Sequence, residues 1–234
     1  LTDKVDASVI NAGKKLKVIS NYAVGFDNID IKIATKRKIA VTNTPGVLTQ
    51  AVAEHTFALI MAISRRVVEA HKLALTESAQ FGPEVMLGME LKDKTLGVLG
   101  LGRIGSRVAE IGKSFGMNVI YYDVKQNPDF ETKVGAVFKA TPEELLSTSD
   151  VVSIHVPLLD STRHLINAEH LKMMKSTAYL VNTSRGPVVD EAELVEALKN
   201  KVIAGSALDV GETEPKWAAG MVDLENVILT PHIA

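Results

Sequence analysis

Along this chain, short apolar runs alternate with longer stretches in which apolar residues recur every three or four positions. The runs read as strands at residues 17–20, 39–42, 95–99, 118–122, 151–155, 178–182, 203–208 and 227–229. Several are continuous rather than alternating, as expected of strands covered on both faces. Strands interleaved with helical patterns predict parallel pairing through crossover helices, an α/β architecture. Helix starts are legible too: Thr141-Pro-Glu-Glu144 reads as a capping box with proline at the first helical position, and Asp190-Glu-Ala-Glu193 follows the same logic with an aspartate cap. The longest helical pattern covers residues 49–71, with Val52, Leu59, Ile60, Ile63 and Val67 on one stripe. Pro45-Gly46 punctuates its entry, and Ser78-Ala-Gln-Phe-Gly-Pro83 reads as a linker. These signals divide the chain into residues 1–44, a bridging helix and linker at 45–81, and a larger domain at 82–234.

Composition narrows the function classes. Hydrophobic residues make up 46% of the 234 positions, enough for a substantial core, and a net charge of −2 with interspersed signs argues against nucleic acid or an anionic membrane as partner. There is no cysteine, which removes disulfides, thiolate metal sites and a catalytic thiol, and fits a cytoplasmic protein. No apolar run reaches transmembrane length. No His/Asp/Glu grouping has metal-ligand spacing, so no metal is expected.

The candidate chemistry begins at Thr95-Leu-Gly-Val-Leu-Gly-Leu-Gly-Arg-Ile-Gly105. Gly100, Gly102 and Gly105 form a G-x-G-x-x-G between a strand pattern and a helix pattern, and Asp123 follows eighteen residues after Gly105. That combination is the signature of dinucleotide binding. Gly100 permits the turn, Gly102 lets a pyrophosphate approach the backbone, and Gly105 lets the helix pack closely on the sheet. The helix N-terminus offers unpaired N–H groups to phosphate. A carboxylate at Asp123 can accept hydrogen bonds from the adenine ribose and would repel a 2′-phosphate by roughly 1–4 kcal/mol, so NAD is expected over NADP. Further polar clusters follow other strand patterns: Asn21-Tyr-Ala-Val-Gly-Phe-Asp-Asn-Ile-Asp30, Asn182-Thr-Ser-Arg-Gly-Pro187, Ala207-Leu-Asp-Val-Gly-Glu-Thr-Glu-Pro215 and Thr230-Pro-His-Ile-Ala234. In open α/β sheets ligands sit at that edge.

These segments, with NTPGVLTQAVAEHTFALIMAISRR and VSIHVPLLDSTRHLIN, resemble the D-isomer-specific 2-hydroxyacid dehydrogenases over essentially the whole chain. The helix segment looks closer to the glyoxylate/hydroxypyruvate/glycerate group than to the phosphoglycerate group. The resemblance implies a doubly wound parallel sheet of Rossmann type for the cofactor domain and part of a flavodoxin-like substrate domain. It implies NAD-dependent hydride transfer to a small 2-keto acid, giving the D-2-hydroxy acid. By motif position, Arg185 would bind the substrate carboxylate and carbonyl, and Glu214 would pair with His232, the acid/base. Imidazole titrates near neutrality and suits that task, and the arginine fork suits a carboxylate. Main-chain groups at Val24 and Gly25 would also hold the substrate carboxylate. Arg103 and Ile104 would lie at the pyrophosphate, Val156 and Pro157 beside the adenine, and Thr183, Asp209 and Thr49 toward the nicotinamide.

The helical stripe at 49–71 resembles the family's dimerisation element, so a homodimer is expected. The cluster His55, Arg65, Arg66 and His71 in that segment reads as a solvated or dimer-facing helix surface rather than a site. His155 and His164 read as structural, and Trp217 as packing or cleft lining. The chain opens on Leu1 and stops two residues after His232, so the resemblance expects a shortening at both ends. Gly211 stands where the family commonly carries a bulky, often aromatic residue. Two further readings stay open at this point: an NAD-sensing, corepressor-like binding protein, and an inactive dinucleotide-binding fragment.

Overall fold

A computed structural model describes residues 3–77 and 82–234. Of the expected linker, Ser78 to Phe81 lie outside the described residues. Contacts divide the chain into two compact units, residues 1–49 and 50–234.

The smaller unit contains strands β1 (Val18–Ser20) and β2 (Ala40–Thr42), paired in parallel, and helices α1 (Ala7–Ala12) and α2 (Ile31–Lys36). Both helices begin at aspartates whose carboxylates accept main-chain N–H groups: Asp6 from Ser8 and Val9, Asp30 from Ile33. A small core of Ile10, Ala34 and Ile39 joins the helices to the sheet.

The larger unit is built on a seven-stranded, wholly parallel sheet, with spatial order β5-β4-β3-β6-β7-β8-β9. Its strands are β3 (Thr95–Leu99), β4 (Asn118–Tyr122), β5 (Val137–Phe138), β6 (Val151–Ile154), β7 (Tyr179–Asn182), β8 (Gly205–Leu208) and β9 (Val227–Leu229). The order runs outward in both directions from β3 and β6, so the chain reverses its winding between these two strands. Helices cover both faces. On one side α7 (Pro142–Thr148), α8 (Ala168–Met173) and α9 (Glu191–Lys199) bring Leu145, Leu146, Leu171, Leu194 and Leu198 into the core. On the other, α3 (Thr49–Ser64), α5 (Arg103–Ser114) and α6 (Pro128–Val134) bring Phe57, Ile60, Ile63, Val108, Ala109 and Phe130. Cover on two faces is why β3, β6, β7 and β8 are apolar almost throughout.

The doubly wound parallel sheet follows the expectation, and the eight expected strands are present within one or two residues at their ends. Three features differ from the sequence reading. β5 has two residues, too short to produce a period. The single helix expected over 49–71 is two, α3 and α4 (Val67–Ala74), separated at Arg65 and Arg66. The Ser64 carbonyl accepts the Met89 N–H at 2.7 Å, and Arg66 takes a left-handed φ of 54°. A long-range backbone bond thus ends α3, and Val67 becomes exposed. Finally, α3 groups with residues 50–234 rather than standing apart as a bridge, because Ala53, Phe57, Leu59, Ile60 and Ile63 lie in that unit's core.

Candidate active site

Parallel strands present all their carboxyl ends on one edge. The loops after β3, β4, β6, β7, β8 and β9 therefore gather there, and they carry the polar clusters of the larger unit.

The three glycines after β3 have distinct surroundings. Gly100 has φ +95°, and a Cβ built on it would come within 2.8 Å of the His155 and Val156 backbone. A Cβ on Gly105 would lie 2.0 Å from the Gly100 carbonyl, so helix α5 is packed directly on the turn. A Cβ on Gly102 would meet nothing within 4 Å. Gly102 has ordinary extended dihedrals and is the N-cap of α5, with no side chain capping the helix. The fold therefore requires Gly100 and Gly105, whereas Gly102 keeps open space at an uncapped helix N-terminus. That is the space a pyrophosphate needs. Arg103 is exposed and Ile104 half-buried on the first turn. Asp123 is half-buried at the end of β4, and its Oδ2 accepts the Leu101 N–H at 2.7 Å, which fixes the carboxylate beside the glycine turn. These residues fit a dinucleotide: Gly102 and the α5 N-terminus for the phosphates, Asp123 for the ribose.

Across the β3/β6 switch, Val156 is buried and Pro157 exposed, and the Val156 carbonyl accepts the Ser184 hydroxyl. Burial depresses the His155 imidazole to about 3, so it is neutral at working pH, with Nε2 2.8 Å from the Ser153 hydroxyl. This is the structural role expected of it.

After β7, Asn182 orders its own turn by donating to the Arg185 carbonyl at 2.9 Å and accepting the Ser184 N–H at 3.0 Å. Arg185 is half-buried, and its guanidinium donates to the Ser184 carbonyl at 2.7 Å. The Thr183 hydroxyl lies 2.8 Å from that of Thr56 on α3. Because the Thr56 hydroxyl donates to the Val52 carbonyl at 2.8 Å, the Thr183 proton goes to Thr56. Thr183 is left with acceptor capacity, suited to an amide NH₂.

After β8 and β9 come the acid/base candidates. His232 Nδ1 lies 2.8 Å from Glu214 Oε2, and Glu214 Oε1 accepts the Gly211 N–H at 3.1 Å. His232 has φ +55°, an unusual conformation for a non-glycine residue, held by donation of its N–H to the Asp209 and Thr230 carbonyls. Asp209 is buried, and its carboxylate accepts the Thr230 hydroxyl at 2.5 Å, the Ile233 N–H at 3.0 Å and the Ala234 N–H at 2.9 Å. It is the anchor of the His232 loop, with lone-pair capacity remaining for an amide donor. Glu214, not Glu212, is the partner of His232; Glu212 pairs with His164 at 2.6 Å. Trp217 packs on the larger core, and its ring lies 3.4 Å from where a Gly211 Cβ would be.

The sequence reading missed two side chains of α3. Thr56 contacts Thr183, and His55, read as part of a solvated surface, has Nε2 3.3 Å from the Thr230 hydroxyl and 3.4 Å from Asp209. Their partners lie more than a hundred residues away, and a helical stripe carries no sign of them. In the smaller unit, Asn43 donates to the Val24 carbonyl at 2.8 Å and Asn21 to the Gly25 carbonyl at 2.7 Å. In a trans peptide the N–H opposes the C=O, so the loop turns its following N–H groups the other way. Thr49 begins α3, its N–H bonded to the Gly46 carbonyl at 3.3 Å.

Residues 57–234 match the sequence profile of the D-isomer specific 2-hydroxyacid dehydrogenase, NAD binding domain. The chain belongs to the D-isomer specific 2-hydroxyacid dehydrogenases. It is 53% identical over 237 aligned residues to a glyoxylate reductase of Thermofilum pendens, covering 100% of this chain and 70% of that protein. It is 51% identical to the glyoxylate reductase of Aeropyrum pernix, covering 100% and 71%. Among solved structures, D-lactate dehydrogenase from Aquifex aeolicus complexed with NAD and lactic acid superposes with a TM-score of 0.91 at 39% identity, covering 99% of this chain and 74% of that one. This member of the 2-hydroxyacid dehydrogenases thus combines the family's NAD-binding domain with a Glu–His pair on the same sheet edge. Among the described residues, no helix is long and apolar enough to cross a membrane.

Proposed function

We propose that this protein uses NADH to reduce a small 2-keto acid, glyoxylate or hydroxypyruvate in class, to the D-2-hydroxy acid. The observation that carries the reading is the 2.8 Å His232–Glu214 pair on the sheet edge that also bears the open Gly102 turn. NADH supplies the hydride for C2 when bound. His232 delivers the proton to the C2 oxygen from Nε2, because Nδ1 is engaged by Glu214, which fixes the ring. Arg185 binds the substrate carboxylate and polarises the carbonyl, its backbone fixed by Asn182. Gly100, Gly102, Arg103, Ile104, Gly105 and Asp123 hold the phosphates and ribose, Val156 and Pro157 border the adenine, and Thr183, Asp209 and Thr49 serve the nicotinamide end. Val24 and Gly25 offer main-chain N–H groups to the substrate carboxylate.

The family profile and the glyoxylate reductase relatives favour a dehydrogenase over a corepressor-like sensor or an inactive fragment. The homodimer belongs to the same proposal. Its support is α4, which buries none of its residues, begins at exposed Val67 and is followed directly by exposed Leu75. A cytoplasmic location is proposed with it, since the reaction draws on a pool of NADH. The test follows NADH absorbance with glyoxylate, hydroxypyruvate and pyruvate, and repeats each with NADPH. Turnover with NADH, fastest on one of the first two acids, is expected; turnover with none of the three, or a preference for NADPH, overturns the reading.

A further inference from the structure

We propose that Glu191 is a positioning residue for proton transfer, acting through the loop that presents Glu214. The inference rests on His232–Glu214 being the proton-transfer pair. Glu191 is the first residue of α9 and is 3% exposed, one of two buried carboxylates among the described residues. Its two oxygens diverge. Oε1 accepts the Glu212 N–H at 2.6 Å and Oε2 accepts the Ala218 N–H at 2.9 Å. One side chain therefore pins both ends of the segment 212–218, and Glu214 lies between them.

The segment is closed from within as well. Lys216 donates its N–H to the Thr213 carbonyl at 2.9 Å, and Gly211 donates to Glu214 itself at 3.1 Å. A second tie lies outside it: Glu212 Oε1 is 2.6 Å from His164 Nε2, while His164 Nδ1 is 3.5 Å from Asp190, the N-cap of α9. Underneath, a Cβ on Gly186 would sit 1.9 Å from the Gly211 carbonyl. The residue after Arg185 is thus in direct contact with the base of the Glu214 loop.

Burying a carboxylate is costly unless hydrogen bonds replace its water. An apolar side chain would fill this site more cheaply if packing were the only requirement. A carboxylate is the one side chain here that aims two acceptors at two separate N–H groups. Glutamine offers one acceptor and turns an NH₂ toward the other N–H, donor against donor. The charge is accounted for by the need to hold both ends of the Glu214 loop.

The experiment is a double-mutant cycle. Glu191→Gln is made in the wild type and in Glu214→Gln, and kcat and KM for glyoxylate are measured beside NADH binding by fluorescence. Binding stoichiometry reports the folded fraction, and kcat is expressed per folded site. In the wild type, Glu191→Gln is expected to lower kcat on the order of tenfold while leaving the NADH Kd within about twofold. In Glu214→Gln the same substitution is expected to change kcat by less than about twofold, because the group it positions is gone. Glu191→Asp, which keeps the charge but shortens the reach, should fall between. Equal losses in both backgrounds, or no loss in the wild type while Glu214→Gln is impaired, overturn the positioning role alone. A Glu214→Gln enzyme with unchanged kcat overturns the proton-transfer reading and this inference with it.

Discussion

Replacing Gly102 and Gly105 separately by alanine divides ligand binding from folding at a single turn. At Gly105 the new methyl would lie 2.0 Å from the Gly100 carbonyl, a backbone atom, and more than an ångström inside normal contact. Overpacking of this kind costs about 1–3 kcal/mol. In a protein of this size each kcal/mol lowers Tm by roughly 2–4 °C, so Gly105→Ala should melt about 2–12 °C below the wild type. At Gly102 the methyl meets nothing within 4 Å, and φ −68°, ψ −170° suits any residue. The cost there is that of alanine at an N-cap, about 1 kcal/mol or less, and Tm should move by no more than about 4 °C. The same methyl fills the room assigned to the pyrophosphate, so NADH binding should weaken about tenfold or more, at 1.4 kcal/mol per decade. The assays are thermal unfolding without ligand and NADH fluorescence titration. A Gly102→Ala protein that binds NADH as the wild type does would refute the placement of the phosphates.

Three other outcomes follow from the same geometry. Asp123→Ser removes the charge facing the ribose, and the ratio of kcat/KM for NADPH to that for NADH should rise at least about fivefold, given a repulsion of roughly 1–4 kcal/mol; an unchanged ratio argues against Asp123 as the ribose ligand. His155, held at about 3 by burial, stays neutral in the fold while the unfolded chain takes up a proton below about 6.5. Its contribution to stability is full above that pH and is lost as pH falls toward 3, about 2 kcal/mol by pH 5. Urea unfolding at pH 7 and pH 5 should therefore show a smaller decline for His155→Asn than for the wild type, and parallel declines would contradict the assignment. Asp209→Ala removes the acceptor of Thr230, Ile233 and Ala234, so kcat should fall on the order of a hundredfold as the His232 loop loosens; retained kcat would show that the loop holds itself.

What the sequence made legible was local. The ends of β3, β4 and β9 coincide with the apolar runs, and Thr141 and Asp190 cap α7 and α9 as their spacing predicts. The glycine turn was readable because three glycines and a distal acid have fixed spacing around one strand. Features decided by distant partners were not readable. α3 ends where Met89 captures the Ser64 carbonyl, and no residue between Ile63 and Val67 announces a break. His55 and Glu191 look like ordinary polar helix positions until the fold brings Asp209 and the Glu214 loop against them. The neighbour of Gly211 is equally invisible in the sequence: a Cβ there would lie 3.4 Å from the Trp217 ring.

The most direct test of the account is His232→Ala, with glyoxylate turnover and NADH binding measured on the same preparation. The account predicts that turnover falls by about two to four orders of magnitude, the usual contribution of a general acid, while NADH binding is retained. Turnover close to that of the wild type would contradict the assignment of His232 as the proton donor, and with it the reading of this sheet edge as the active site.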